Sequence, residues 1–356
     1  VSENVPIMAS LLAFAISLVA SLGLTFPVRQ LALRVGMVDR PGPRKVHLEP
    51  IPLLGGVAIY SGVLLGMLVS MGGQAVTQIV GILAGATLVI LVGTLDDRGL
   101  LHHQIKLFVG MPLAGVILLA SGIHAEVFSV FFPGRAGVVG DAALTVFWVT
   151  GVTASFSIFD YMDGLCAGVA AVAALFFATF ATLSGQVLVS TLAAAVMGAA
   201  LGFLCWNFNP AKIFMGDGGA MFLGFLMATL ALKLRMNGTS HAADWFVPIL
   251  VLGVPIFDMV LVSISRSRRG LLPFATPGKD HAGHRLANCG LGTRRAVLTM
   301  YALGAGFGIL ALFVSRLGSW QAVKVALSVA AVMLVAVALL ERAPYERQQA
   351  RPKTAA

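Results

Sequence analysis

Apolar residues run in blocks of roughly 18 to 22 from one end of this chain to the other, the length an α-helix needs to cross about 30 Å of hydrocarbon. The pattern predicts about eleven membrane helices, near residues 6–26, 53–71, 77–95, 104–121, 143–160, 165–184, 187–206, 219–234, 246–264, 296–315 and 321–341. The first block lacks a basic leader and a small-residue cleavage site, so it is expected to be a retained helix and not a signal peptide. Composition agrees: 58% of residues are hydrophobic and 11% charged, with a mean hydropathy of +0.93, far outside the soluble globular range. The expected fold is all-α and polytopic, about ten or eleven helices around a cytoplasm-facing cleft. No soluble domain, low-complexity linker or internal repeat is visible. Residues 1–341 read as a single transmembrane domain and 342–356 as a short basic tail.

Threading the blocks alternately through a bilayer with the N-terminus outside places most of the basic residues on one face. Arg29, Arg34, Arg40, Arg44, Lys45, Arg98, Lys106, Lys212, Arg266, Arg268, Arg269, Lys279, Arg285, Arg294, Arg295 and the tail lie there, against Arg135, Lys233, Arg235, Arg316 and Lys324 opposite. The positive-inside rule makes the rich face cytoplasmic. The net charge of +9 is therefore mainly topological, and with no basic soluble domain to hold nucleic acid that function class is set aside. The three cysteines, Cys166, Cys205 and Cys289, are too few and too scattered for a disulfide framework or a zinc site.

Acidic residues gather on the same face. Asp96 and Asp97 close the third block in LVGTLDD, Asp160 and Asp163 lie in FDYMDGL, Asp217 lies in NPAKIFMGDGGA and Asp258 in PIFDMV, six of the fifteen in the chain. Paired carboxylates beside a basic surface suggest Mg²⁺, a hard cation that is commonly shared between one or two Asp side chains and substrate phosphates. Lys45, Lys106, Lys212 and Arg285 are then candidates for phosphate oxygens. Gly216, Gly218 and Gly219 fit a diphosphate approaching a helix N-terminus. In KDHAGHRL, His281 and His284 stand three positions apart beside Arg285 and would share a helix face. His47 lies in a Pro- and Gly-rich approach to the second block, where it could touch substrate. No Ser or Cys stands in a recognisable nucleophile elbow, so acyl transfer has no support.

Taken in order, VDRPGPRKVHLEPIPLLGG, GTLDDRGLLHHQIKL, FDYMDGL, NFNPAKIFMGDGGAMFLG and the stretch from PIFDMV to GTRRAVL resemble the polyprenyl-phosphate N-acetylhexosamine-1-phosphate transferases, over most of residues 38–298. The resemblance implies Mg²⁺-dependent transfer (Mn²⁺ could replace it) of a sugar 1-phosphate from a UDP-N-acetylhexosamine to polyprenyl phosphate. UMP is released, and a cell-envelope glycan is initiated at the cytoplasmic side of a bacterial inner membrane. It also implies that Asp96, Asp97 and Asp217 serve as catalytic residues and metal ligands, with His281 and His284 catalytic. Arg44, Lys45, His47, Lys106, Asp160, Asp163, Asn207 and Arg285 are implied to bind substrate, and a homodimer is the expected assembly. The RKxHxxPIP stretch is closer to the N-acetylglucosamine-phosphate and teichoic-acid-initiating branch than to the peptidoglycan branch acting on UDP-MurNAc-pentapeptide, which stands as the alternative.

The chain departs from the family pattern where Ser157 and Asp160 replace asparagines, Cys166 and Ala167 replace a second Asp-Gly, and Gly283 replaces a histidine. Loss of a hydrogen-bond acceptor at Cys166 points to an unusual donor. Two other classes are disfavoured. A secondary transporter would place its ionisable residues near the midplane between repeats. The GxGD signature of an intramembrane aspartyl protease would need glycine where Phe214 stands.

Overall fold

The computed structural model describes residues 4–40, 49–70, 76–236, 240–273 and 278–345. The chain divides into two compact units, Val1–Thr239 and Ser240–Ala356.

The first unit opens with α1 (Asn4–Arg34), followed by a two-residue antiparallel ribbon of β1 (Val38–Asp39) and β2 (Ile51–Pro52), in which Val38 pairs with Pro52 and Asp39 with Ile51. Next come α2 (Gly55–Ser70) and α3 (Val76–Asp97). The short α4 (His103–Ile105) leads into a π-helical turn at Lys106–Gly110 and then α5 (Met111–Ala120). After α6 (Phe128–Phe131) the long helices α7 (Arg135–Phe159), α8 (Leu165–Leu183), α9 (Val187–Asn207) and α10 (Gly216–Lys233) complete the unit.

Small residues let these helices approach closely, which is how helices associate where lipid removes the hydrophobic drive between them. Gly62 and Gly66 of α2 lie against Ser17 and Ser21 of α1, and Gly198 and Gly202 of α9 against the α1 backbone at Phe14 and Leu18. Both pairs have GxxxG spacing. At the centre, α10 is buried continuously from Gly218 to Leu232.

The second unit contains α11 (His241–Val251), α12 (Gly253–Arg268), α13 (Ala282–Leu286), a π-helical turn at Ala287–Leu291, α14 (Gly292–Val314) and α15 (Ser319–Leu340).

Among the described residues, seven helices are long and apolar enough to cross a membrane, or eight if a bent pair counts as one span. The protein is thus all-α and multi-pass, with fewer full spans than the hydropathy blocks suggest. Helix α2 has 16 residues, roughly 24 Å at 1.5 Å per residue, short of a 30 Å core. The apolar character of α10 serves protein packing, which a hydropathy pattern cannot distinguish from contact with lipid. The block at 246–264 is broken: α11 and α12 meet at a 72° bend, where Gly253 and Pro255 start a new helix. Two helices also exceed their expected ends. Pro27 lies inside α1, which runs on to Arg34. Helix α7 begins at Arg135, ahead of the expected residue 143, and takes in Asp141, which is buried and accepts the backbone N–H groups of Val127, Phe128 and Ser129 at 2.8, 2.7 and 3.2 Å.

Candidate active site

In the first unit a carboxylate cluster forms where helix ends converge. Helix α3 ends in Asp96 and Asp97, Lys106 opens the π turn before α5, Ser157 lies in the last turn of α7 and Asp217 in the first turn of α10. A π turn interrupts regular helical bonding and is frequent at functional sites. The Lys106 ammonium donates to Asp96 Oδ2 at 2.6 Å and to Asp217 Oδ2 at 2.5 Å. Ser157 Oγ donates to Asp217 Oδ1 at 2.7 Å. Two carboxylates from helices 120 positions apart in the chain, Asp97 and Asp217, are also tied through the backbone.

Asp97 plays a different part from Asp96. Its Oδ1 accepts the Asp217 backbone N–H at 2.9 Å and its Oδ2 that of Gly218 at 3.2 Å. It thereby caps the N-terminus of α10, where unpaired donors and the helix dipole favour an anion. Gly216 has φ +73°, and a Cβ there would collide with the Asp97 carboxylate. Both the left-handed backbone and the close approach require glycine.

The two most specific sequence motifs interlock. Phe214 donates its N–H to Pro52 O at 2.8 Å, while Gly55 and Gly56 donate to Phe214 O and Met215 O at 2.9 Å each. The PIPLLGG stretch therefore fixes where α10 begins. Asn207, 2% exposed, accepts the Gly164 N–H at 3.0 Å and donates to Ile213 O at 2.9 Å. Asp163 Oδ2 accepts from Asn209 Nδ2 and the Ala211 N–H, both at 3.0 Å. Both residues brace the loop leading into α10. Asp160, just past α7, is pushed up to about 8 by burial and by the negative charges of Asp217, Asp97 and Asp163. Cys166 is fully buried at the start of α8. Arg44, Lys45 and His47 lie outside the described residues.

The histidines belong to a second cluster, in the second unit. His281 Nδ1 lies 2.7 Å from Asp258 Oδ2, and Asp258 Oδ1 accepts the Ala282 N–H at 2.7 Å. The His284 ring lies edge-on to that of His281, with centroids 6.3 Å apart. Arg266 grips Asp280 through Nε at 3.0 Å and Nη2 at 2.7 Å, and Arg269 adds a bond at 2.5 Å. These guanidinium groups hold the Asp280 carboxyl at about 2, against the opposing effect of its burial. Arg285 is fully buried. It donates to Asp280 O, Leu340 O and Ser265 Oγ at 2.7, 2.7 and 2.8 Å, and its guanidinium stacks 3.9 Å from the Tyr345 ring centroid. Each of its three nitrogens thus has a partner within the unit.

Hydropathy and motif spacing single out Asp96, Asp97, Lys106 and Asp217, and the fold brings all four together. The partnership of Ser157 with Asp217 carries no sequence signal, nor does the Arg266–Asp280 pair. Asp258 does leave one, as a charge inside an apolar block.

The sequence model of glycosyl transferase family 4 matches residues 79–235, a range holding Asp96, Asp97, Lys106, Ser157 and Asp217. The chain is 37% identical over 310 residues to the probable undecaprenyl-phosphate N-acetylglucosaminyl 1-phosphate transferase of Bacillus subtilis, covering 86% of each chain. It is 31% identical over 354 residues to the decaprenyl-phosphate N-acetylglucosaminephosphotransferase of Mycolicibacterium smegmatis, covering 90% of this chain and 86% of the relative. Identity to the undecaprenyl-phosphate alpha-N-acetylglucosaminyl 1-phosphate transferase of Yersinia pestis is 28% over 304 residues, 83% of this chain and 82% of the relative.

Proposed function

The chain belongs to glycosyl transferase family 4, and from that premise we propose that it transfers N-acetylhexosamine 1-phosphate from a UDP-sugar to a polyprenyl phosphate at the cytoplasmic face of a bacterial inner membrane. The names of its relatives support the lipid acceptor and the N-acetylglucosamine 1-phosphate group. The observation that carries the reading is the convergence of Asp96 and Asp217 on Lys106, at the ends of apolar helices. In the transfer an oxygen of the lipid phosphate forms a bond to the phosphorus bearing the sugar. The bond from that phosphorus to the bridging oxygen breaks, and UMP leaves with the electron pair. Such a reaction asks the protein for alignment and charge stabilisation more than for a covalent step.

The residues fit Mg²⁺. Among the described residues no three His, Cys, Asp or Glu groups form a self-sufficient metal cage, yet Mg²⁺ commonly takes one or two carboxylates plus water and phosphate oxygens. Asp96 and Asp217 offer two hard oxygens to one cationic group, with Asp97 beside them. These three would hold the ion, which would neutralise charge on the transferred phosphate. Lys106 holds the two carboxylates close together, and its ammonium offers a donor to an incoming phosphate oxygen. Ser157 fixes the Asp217 rotamer. Asp97, Asp163 and Asn207 keep the α10 N-terminus and its approach loop in place. A homodimer is the assembly we propose.

Purified protein incubated with undecaprenyl phosphate, Mg²⁺ and a panel of UDP-N-acetylhexosamines should release UMP only when the lipid is present and no chelator is. Release without lipid, or silence across the panel from folded protein, would reject the reading.

A further inference from the structure

A cluster of cations and aromatic rings lies on the surface of the first unit, where α9 runs out beside α1. Trp206, one residue before the end of α9, donates its indole N–H to Leu22 O of α1 at 3.0 Å, and its ring meets that of Phe26 with centroids 6.3 Å apart. The Lys212 N–H closes the loop after α9 by donating to Trp206 O at 2.8 Å, and the Lys212 ammonium stands 5.7 Å from the indole centroid. Arg29 Nε donates to Lys212 O at 3.1 Å, which brings the two cationic residues side by side. Among the described residues no carboxylate pairs with either cation, and the two Nη groups of Arg29 make no hydrogen bond. Towards the middle of α1 the same face is apolar. Val19, Leu22, Phe26 and Arg29 follow one another at spacings of three and four, which aligns them along one side of the helix. Val19 and Phe26 are 67% and 53% exposed. From Val19 to Arg29 the helix rises about 15 Å, half of a hydrocarbon core of roughly 30 Å.

We propose that this cluster is a seat for one anionic phospholipid, with its phosphate between Arg29 and Lys212 and an acyl chain along Val19, Leu22 and Phe26. Trp206 then lies at the boundary between headgroup and hydrocarbon, where indole rings concentrate in membrane proteins. Two cations with no protein anion call for a negatively charged headgroup in preference to a zwitterionic one. A guanidinium with both Nη groups unused can grip a phosphate through two parallel hydrogen bonds. The carboxylate cluster has its own cation in Lys106, so this seat does not depend on the transfer reading. Lys212 adjoins Ile213, whose carbonyl is held by Asn207, and an occupied seat therefore also braces the approach to α10.

Native mass spectrometry of the full-length protein, released from micelles containing equal parts of phosphatidylglycerol and phosphatidylcholine, tests this. Wild-type protein is expected to retain phosphatidylglycerol in preference to phosphatidylcholine. R29Q and K212Q should each lower that retention about five-fold, whereas R34Q, on another side of α1, should retain lipid as the wild type does. Equal retention of the two lipids by the wild type, or undiminished phosphatidylglycerol on R29Q and K212Q, would overturn the proposal. Preferential retention of undecaprenyl phosphate over phosphatidylglycerol, lost in R29Q, would make this the acceptor's seat and would overturn it as well. A salt series on wild-type protein needs no variant to fold. Retained phosphatidylglycerol should fall as ionic strength rises, because the attraction between exposed charges is screened, and retention independent of salt would reject the paired-cation seat.

Discussion

At the scale of single residues, two adjacent aspartates do separate work. The Asp97 carboxylate is bound to two backbone N–H groups of α10, whereas Asp217 is held by Lys106 and Ser157 side chains. Both Asp97→Asn and Asp217→Asn are expected to stop turnover. Asp97→Asn should also lower the unfolding free energy, by about 1–2 kcal/mol, because an amide offers one acceptor where two backbone donors are used. Thermal unfolding of the variant in detergent checks this, and an unchanged midpoint for Asp97→Asn would contradict the capping role. Asp280 gives a pH signature. Its folded value of about 2 lies below that of an exposed aspartate, so its contribution to stability is present above about pH 4 and is lost as pH falls towards 2. A melting series from pH 5 to pH 3 should show a decline in the wild type that is shallower in Asp280→Asn, which starts from a lower midpoint. The aspartates and Lys106 are legible in the sequence because charge at the end of an apolar block is conspicuous. Arg285 shows the limit of that signal: an arginine in a basic loop looks like a phosphate ligand, and the fold instead encloses it between Asp280, Ser265, Leu340 and Tyr345.

At the scale of elements, the site depends on how closely α3 and α10 approach. A Cβ on Gly93 would lie 2.5 Å from Gly218 Cα, and one on Gly218 would lie 2.7 Å from Thr94 Oγ1. Gly93→Ala should therefore push the two helices apart, cost about 1–3 kcal/mol of stability and reduce activity by separating Asp96 from Asp217. Gly151→Ala, on α7 with nothing within 4 Å of the added atom, is the control and should behave as wild type. Equal behaviour of the two variants in UMP release and thermal unfolding would refute the seam. Helices of this kind are easily found from hydropathy, but their ends are less so. The helix expected from residue 143 starts at Arg135 and takes in Asp141, whose carboxylate is satisfied by three backbone donors. The span expected at 246–264 is bent, because a glycine and a proline just past Leu252 redirect the chain.

At the scale of the whole molecule, this is a multi-pass membrane enzyme of glycosyl transferase family 4. With a metal at Asp96 and Asp217, chelation should abolish UMP release and added Mg²⁺ should restore it. Wild-type protein should also gain thermal stability with Mg²⁺ and donor nucleotide present, a gain absent from Asp217→Asn. A chelator-resistant enzyme would return the charge-neutralising role to Lys106 alone. The sequence by itself determined the membrane-spanning class and the motifs that identify the family, because lipid imposes long apolar runs and phosphoryl chemistry requires particular side chains. Only the tertiary structure decided that PIPLLGG and KIFMGD form one hydrogen-bonded seam, that Asp97 caps a helix and that Ser157 meets Asp217. Each of these is a contact between segments far apart in the chain, and hydropathy and local spacing carry no information about which helix ends will meet.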